Sequence, residues 1–183
     1  MDDSIRLGDL TPAHRARIDA IVRATGVFSE EETQVAVALF DEVAAGCGAP
    51  DAPLPRTHPD YAFLGAFTPE DELVGYACYG PTPGTDRTYD LYWIAVDPRA
   101  HGAGIGTLLL AEVERRLQGH RARLLMVETS SRSDYAQTRR FYGRRGYAEA
   151  ARVREFYAPG DDRIIYAKRL SDSPHGGERS HHE

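Results

Sequence analysis

Three glycines at alternate positions, Gly102, Gly104 and Gly106, stand between an apolar run, Leu91 to Val96, and a helically periodic one that opens at Ile105. A helix starting there leaves its first N–H groups unpaired, and its dipole adds roughly half a positive charge, so the turn suits an anion such as a phosphate. A Cβ at any of the three would hold a pyrophosphate off the backbone. Close packing of a helix on a sheet selects glycine in such turns as well, so this string alone leaves both readings open. Two other phosphate loops are excluded. The P-loop needs Gly-Lys-Ser or Gly-Lys-Thr, and the dinucleotide fingerprint places its glycines sooner after the strand, with a carboxylate about 20 residues further on.

The elements around this turn follow from periodicity and punctuation. Ser4 to Leu7 reads as a short strand, and Thr11-Pro12 starts a helix to about Ala24. Ser29 with Glu32 forms a capping box for a second helix. Ala49 to Pro59 holds four prolines and is a loop. Tyr61 to Phe67, Leu73 to Tyr79 and Thr88 to Val96 are three strands joined by turns, hence an antiparallel meander. A helix follows over about Gly104 to Gln118, its buried face expected to carry Leu108, Leu109, Val113 and Leu117. Leu124 to Glu128 is a strand, Thr129 to Ser133 a polar loop, and Asp134 or Ser133 is expected to cap a helix to about Arg144. Tyr147 to Tyr157 and Arg163 to Leu170 form a terminal hairpin. A right-handed crossover from Tyr89 to Glu128 makes two of the strands parallel. The order β-α-α-β-β-β-α-β-α-β-β predicts a single α/β domain over residues 1–170, with the apolar-free tail 171–183 disordered.

Composition narrows the function classes. The chain has 183 residues, 42% of them apolar, and a formal net charge of −6. That balance argues against a nucleic-acid or anionic-membrane surface and tilts toward an amine-bearing partner. No run approaches a membrane span or a secretory leader, so a cytoplasmic protein is expected. Cys47 and Cys78 have neither disulfide nor metal spacing and read as a loop thiol and a strand-core thiol; no metal is expected.

The string DPRAHGAGIGTLLL (Asp97 to Leu110) resembles the acyl-CoA signature of the GNAT superfamily of acyltransferases, Gln/Arg-x-x-Gly-x-Gly/Ala after a strand ending Val-x-Pro, with His101 where Gln or Arg is usual. Downstream, YAQTRRFYGRRGY (Tyr135 to Tyr147) resembles the second signature, a helix with a Phe-Tyr pair that ends at Gly-Tyr. The resemblance implies a three-layer α/β/α sandwich whose mixed, mainly antiparallel sheet has two central parallel strands splayed around an acyl thioester. It implies an N-acetyltransferase that moves an acetyl group from acetyl-CoA to a primary amine of a small molecule, amino acid or peptide by direct attack in a ternary complex. A longer acyl-CoA, a CoA-binding module without turnover, and a homodimer are left open.

Such chemistry needs a neutral amine, donors at the thioester oxygen and an acid for the departing thiolate. By resemblance, Asp90 and Glu128 occupy the two positions at which related enzymes carry a general-base carboxylate, and Tyr142 that of the general acid. Either carboxylate could instead bind the ammonium or pair with an arginine, and a water chain alone is the third candidate for the base. The strand Ile94, Ala95 and Val96 would pair with pantetheine amides as an added strand does. The turn His101, Gly102, Ala103, Gly104, Ile105, Gly106 and Thr107 would hold the pyrophosphate, with Tyr135 nearby. His101 puts a titratable donor beside an anion, so CoA affinity is expected to fall as pH rises through neutrality. Tyr92 and Phe28 are expected in the acceptor site. Strand alternation predicts that Tyr92 shares a face with Asp90 and Ile94 while Trp93 points away.

Overall fold

The computed structural model describes residues 5–56 and 59–170. Ser4 and the tail 171–183 lie outside the described residues. The strands are β1 (Arg6–Gly8), β2 (Ala62–Phe67), β3 (Leu73–Pro81), β4 (Thr88–Val96), β5 (Leu124–Ser130), β6 (Ala148–Ala158) and β7 (Asp161–Arg169). The helices are α1 (Arg15–Ala24), α2 (Glu30–Ala44), α3 (Ile105–Gly119) and α4 (Ala136–Gly143), with single 3-10 turns at Pro12–His14, Pro98–Ala100 and Ser133–Tyr135.

All seven strands form one sheet in the order β1-β2-β3-β4-β5-β7-β6. Neighbours are antiparallel except β4 and β5, the pair joined through α3. One face packs on α3 and α4 through Leu109, Leu110, Val113 and Tyr142 against Leu64, Ala77 and Leu125. The other packs on α1 and α2 through Ile18, Ile21 and Phe40 against Phe63, Tyr76 and Cys78. The result is the expected three-layer sandwich.

Local chemistry explains the helix starts. The Ser29 hydroxyl accepts from the Glu32 N–H at 3.1 Å, and the Glu32 carboxylate accepts from the Ser29 N–H at 2.7 Å, so two orphan donors of α2 are satisfied. At the α1 entry the Thr11 N–H donates to His14 Nδ1 at 2.9 Å.

Three local expectations are corrected. Leu108 is 42% exposed, and Leu110, 1% exposed, takes its place in the core because α3 turns its Ile105–Leu109–Val113 row toward the sheet. Thr129 and Ser130 extend β5 instead of opening a loop, because they pair with Ile164 and Arg163 of β7 and are buried there. Neither Ser133 nor Asp134 caps α4; both sit in a 3-10 turn, and Asp134 is spent on an ion pair with Arg132.

Candidate active site

The site begins where the parallel strands part. β4 and β5 pair from Thr88–Leu124 to Leu91–Val127 and no further, while β5 goes on pairing with β7 through Ser130. A bulge opens β4 at the same level: Leu91 pairs with Tyr79 and Trp93 with Cys78, leaving Tyr92 as the extra residue. The bulge corrects the predicted alternation. Tyr92 and Trp93 both face the α1–α2 side, and Ile94 returns to the α3 side.

Beyond the bulge the β4 edge is open. The Asp97 N–H donates to the Val74 carbonyl at 2.8 Å, so the hydrogen-bonded partners toward β3 are 97, 95 and 93. The N–H and C=O groups of Ile94 and Val96 therefore point into the fork, ready for an extended ligand. His101 Nε2 lies 3.3 Å from the Val96 oxygen, at the end of that edge.

A groove of about 520 Å³ runs from this edge to the α3 N-terminus. Ile94, Ala95, Val96, His101, Gly102, Gly104, Ile105, Gly106, Thr107 and Tyr135 line it; Ala103 does not. The N–H groups of residues 102 to 106 make no backbone hydrogen bond among the described residues. Gly102 and Gly104 have φ of 89° and 72°, which L side chains resist, and an added Cβ at either would enter open space. Gly106 differs: it has no left-handed φ, and its Cβ would make only an ordinary contact with the Phe141 ring, at 3.5 Å. A cradle of free N–H groups with no Cβ in its mouth fits a pyrophosphate.

The turn is anchored at its start by Asp97, whose side chain is 3% exposed and pairs with Arg17 of α1 and Arg99. The Arg99 guanidinium first, then Arg99 N–H and Arg17, hold its carboxyl well below the usual carboxylate range against the opposing effect of burial. Arg145 borders the groove at the other end, stacked 3.7 Å from the Phe141 ring centroid and donating to the Thr107 hydroxyl. That contact ties the segment after α4 to the first turn of α3. Tyr142 lines the groove, 2% exposed, with Phe141 and Tyr147 packed edge-on at 5.2 and 5.5 Å. Burial pushes its phenol up, opposed by Arg145, so it stays protonated. Among the described residues its hydroxyl has no hydrogen-bond partner.

A second cleft of about 640 Å³ lies across the fork and shares Phe28, Tyr92, Trp93, Glu128 and Tyr135 with the groove. It holds both strand carboxylates, in different circumstances. Glu128 accepts from the Tyr157 hydroxyl and pairs with Arg163. Among the described residues Asp90 is held by the Thr82 hydroxyl alone, at 2.7 Å. Burial raises the Asp90 pKa and Glu128 adds to the rise, against Thr82 and Arg163. Burial, then Asp90, also pushes Tyr92 up to about 12, so its phenol is a neutral donor. Thr82, Tyr157 and Arg163 carried no motif in the sequence; the pairing of β3 with β4 brings Thr82 here, that of β5 with β7 brings Arg163, and β6 beside β7 supplies Tyr157.

Comparisons with known proteins place the chain in a family. The Acetyltransferase (GNAT) family model matches residues 28–147, and the chain belongs to that family. A Desulfovibrio desulfuricans crystal structure assigned to the GNAT family is 40% identical, covering 92% of this chain and 100% of its own, with a TM-score of 0.80. The Escherichia coli ribosomal-protein-S18-alanine N-acetyltransferase shares the fold at 18% identity, covering 94% and 98% of the two chains, with a TM-score of 0.72. So does the PaiA N-acetyltransferase of Thermoplasma acidophilum in complex with coenzyme A, at 18% identity, 91% and 99% coverage and a TM-score of 0.66. A search of the curated proteins finds no match.

Proposed function

We propose that the chain transfers an acetyl group from acetyl-CoA to a primary amine, with Asp90 as general base and Tyr142 as general acid. The observation that carries this reading is the junction of the two clefts at the fork, with Asp90 on one side and Tyr142 on the other. Acetyl-CoA is a substrate here: its pyrophosphate would sit on the N–H groups of residues 102 to 106, and its pantetheine amides on the Ile94 and Val96 edge. Adenine-end contacts are not needed for the chemistry.

The amine arrives largely as ammonium at neutral pH. Asp90, raised by burial and with no arginine ion pair among the described residues, takes its proton directly or through one water. The nitrogen lone pair then forms a bond to the thioester carbon, the C–S bond breaks, the Tyr142 proton passes to the leaving sulfur, and the second proton shed by the new amide nitrogen returns to the Tyr142 phenolate through solvent. Glu128 is less suited to proton transfer, because its carboxylate is already engaged by Arg163 and the Tyr157 hydroxyl; it orients the cleft. Since the amine and the thioester enter from opposite sides of one fork, both bind before reaction.

The test is thiol release from acetyl-CoA on addition of primary amines, with the acetylated amine identified by mass. Release dependent on the amine, with initial-rate lines that intersect, is the expected result. Parallel lines, or an acetylated enzyme isolated without amine, would overturn direct transfer.

A further inference from the structure

Resting on the N-acetyltransferase reading, we infer that the acceptor is a singly charged primary amine on a short linker from an aromatic ring, the arylalkylamine class. The charge count in the acceptor cleft comes first. Four carboxylates line it, and three are already engaged: Glu128 by Arg163, Asp161 by the Ser130 hydroxyl and the Ser131 N–H, and Glu32 by the Ser29 N–H at the start of α2. Among the described residues Asp90 is the one held by neither an arginine nor a backbone N–H. One uncommitted carboxylate accommodates one ammonium. Arg132 and Arg163 also line this cleft, each paired with a carboxylate, Asp134 and Glu128, so neither is free to neutralise Asp90 and that carboxylate is left for the ammonium.

The aromatic lining supplies the rest. Phe28 and Trp93 lie ring to ring at 5.5 Å where the cleft meets the groove, and both are only half-buried. Tyr92 is fixed beside them by an edge-on contact with Tyr61 at 5.3 Å, and Tyr157, 45% exposed, closes the far side. Half-covered aromatic faces in a concave site fit a flat apolar group, and the same faces attract a neighbouring ammonium. Because Phe28 and Trp93 sit at the junction itself, the ring they cover must lie close to the reacting nitrogen, which sets a short linker. The bulge at Tyr92 is what turns Tyr92 and Trp93 to this side together.

The experiment is thiol release from acetyl-CoA by the full chain with phenethylamine, n-butylamine, spermidine or a short peptide with a free N-terminal alanine. We expect phenethylamine to have the highest kcat/KM, by roughly tenfold or more over n-butylamine, in keeping with the discrimination an apolar pocket provides. In Phe28→Ala the ratio of phenethylamine to n-butylamine should fall toward unity; a ratio within one variant is insensitive to a loss of folded protein. Preference for spermidine or the peptide, or a ratio unmoved in Phe28→Ala, would overturn the inference while leaving the N-acetyltransferase reading intact. Thiol release by none of the four, with acetyl-CoA bound in calorimetry, would overturn that reading and the inference with it.

Discussion

Asp90 and Glu128 sit on neighbouring strands, yet their surroundings give them opposite properties. Glu128 has a guanidinium and a phenol as partners, whereas Asp90 has one hydroxyl and a half-buried setting that raises its pKa. Asp90→Asn should therefore lower kcat by roughly a hundredfold or more, and Glu128→Gln by much less, in steady-state thiol-release assays. The acid limb of the kcat/KM profile should fall above the ordinary aspartate range and vanish in Asp90→Asn. A carboxyl whose pKa is raised on folding adds stability that is present below its unfolded pKa and lost as pH rises through the folded value. Ionised Asp90 thus weakens the fold at neutral pH, and Asp90→Asn should raise Tm there while removing activity, a trade between stability and function. Tyr142→Phe should cost roughly a hundredfold in kcat with the calorimetric Kd for acetyl-CoA little changed; an unaltered kcat would remove its role as the acid.

The glycine turn belongs to the scale of elements, and its three glycines are not equivalent. Gly104, at φ 72° as the α3 N-cap, would be strained by any Cβ, by about 1–2 kcal/mol, and that Cβ would also project into the cradle. Gly104→Ala should therefore raise the Kd for acetyl-CoA in calorimetry more than Gly106→Ala, whose Cβ makes an ordinary contact with Phe141. Asp97 joins α1, the β3 entry and the turn through Arg17 and Arg99. Its lowered pKa adds stability that is present above the unfolded aspartate value and lost as pH falls through the folded one. Asp97→Asn should cost about 2 kcal/mol at pH 7 in chemical denaturation, since exposed Arg99 is screened, and less as the medium is acidified.

The described residues form two apolar layers on one sheet, and α3 lines the groove with its first turn and fills the core with the rest. Leu110→Ala, at a site 1% exposed, should destabilise by about 2–5 kcal/mol, whereas Leu108→Ala, at a site 42% exposed, should stay within about 0.5 kcal/mol. Equilibrium unfolding of the two variants checks this directly. Among the described residues no helix is long and apolar enough to cross a membrane.

Element order, the crossover that makes β4 and β5 parallel, the capping box at Ser29 and the glycine cradle were legible from residue types and spacing, because each rests on interactions between residues close in the chain. The strand ends were less so: Thr129 and Ser130 are polar and read as loop until Ile164 and Arg163 supply their partners. The lining of the groove was legible in its motif-bearing half, at Ile94 to Val96, at His101 to Thr107 apart from Ala103, and at Tyr142. The other half of the site was decided by tertiary structure. No spacing in the sequence brings Arg163 and Tyr157 to Glu128, leaves Asp90 to Thr82 alone, or inserts the bulge that turns Tyr92 and Trp93 to one face. Those outcomes depend on the register of β5 with β7 and of β3 with β4, which is set by packing between segments distant in the chain. The difference between the two carboxylates therefore exists only in the folded protein.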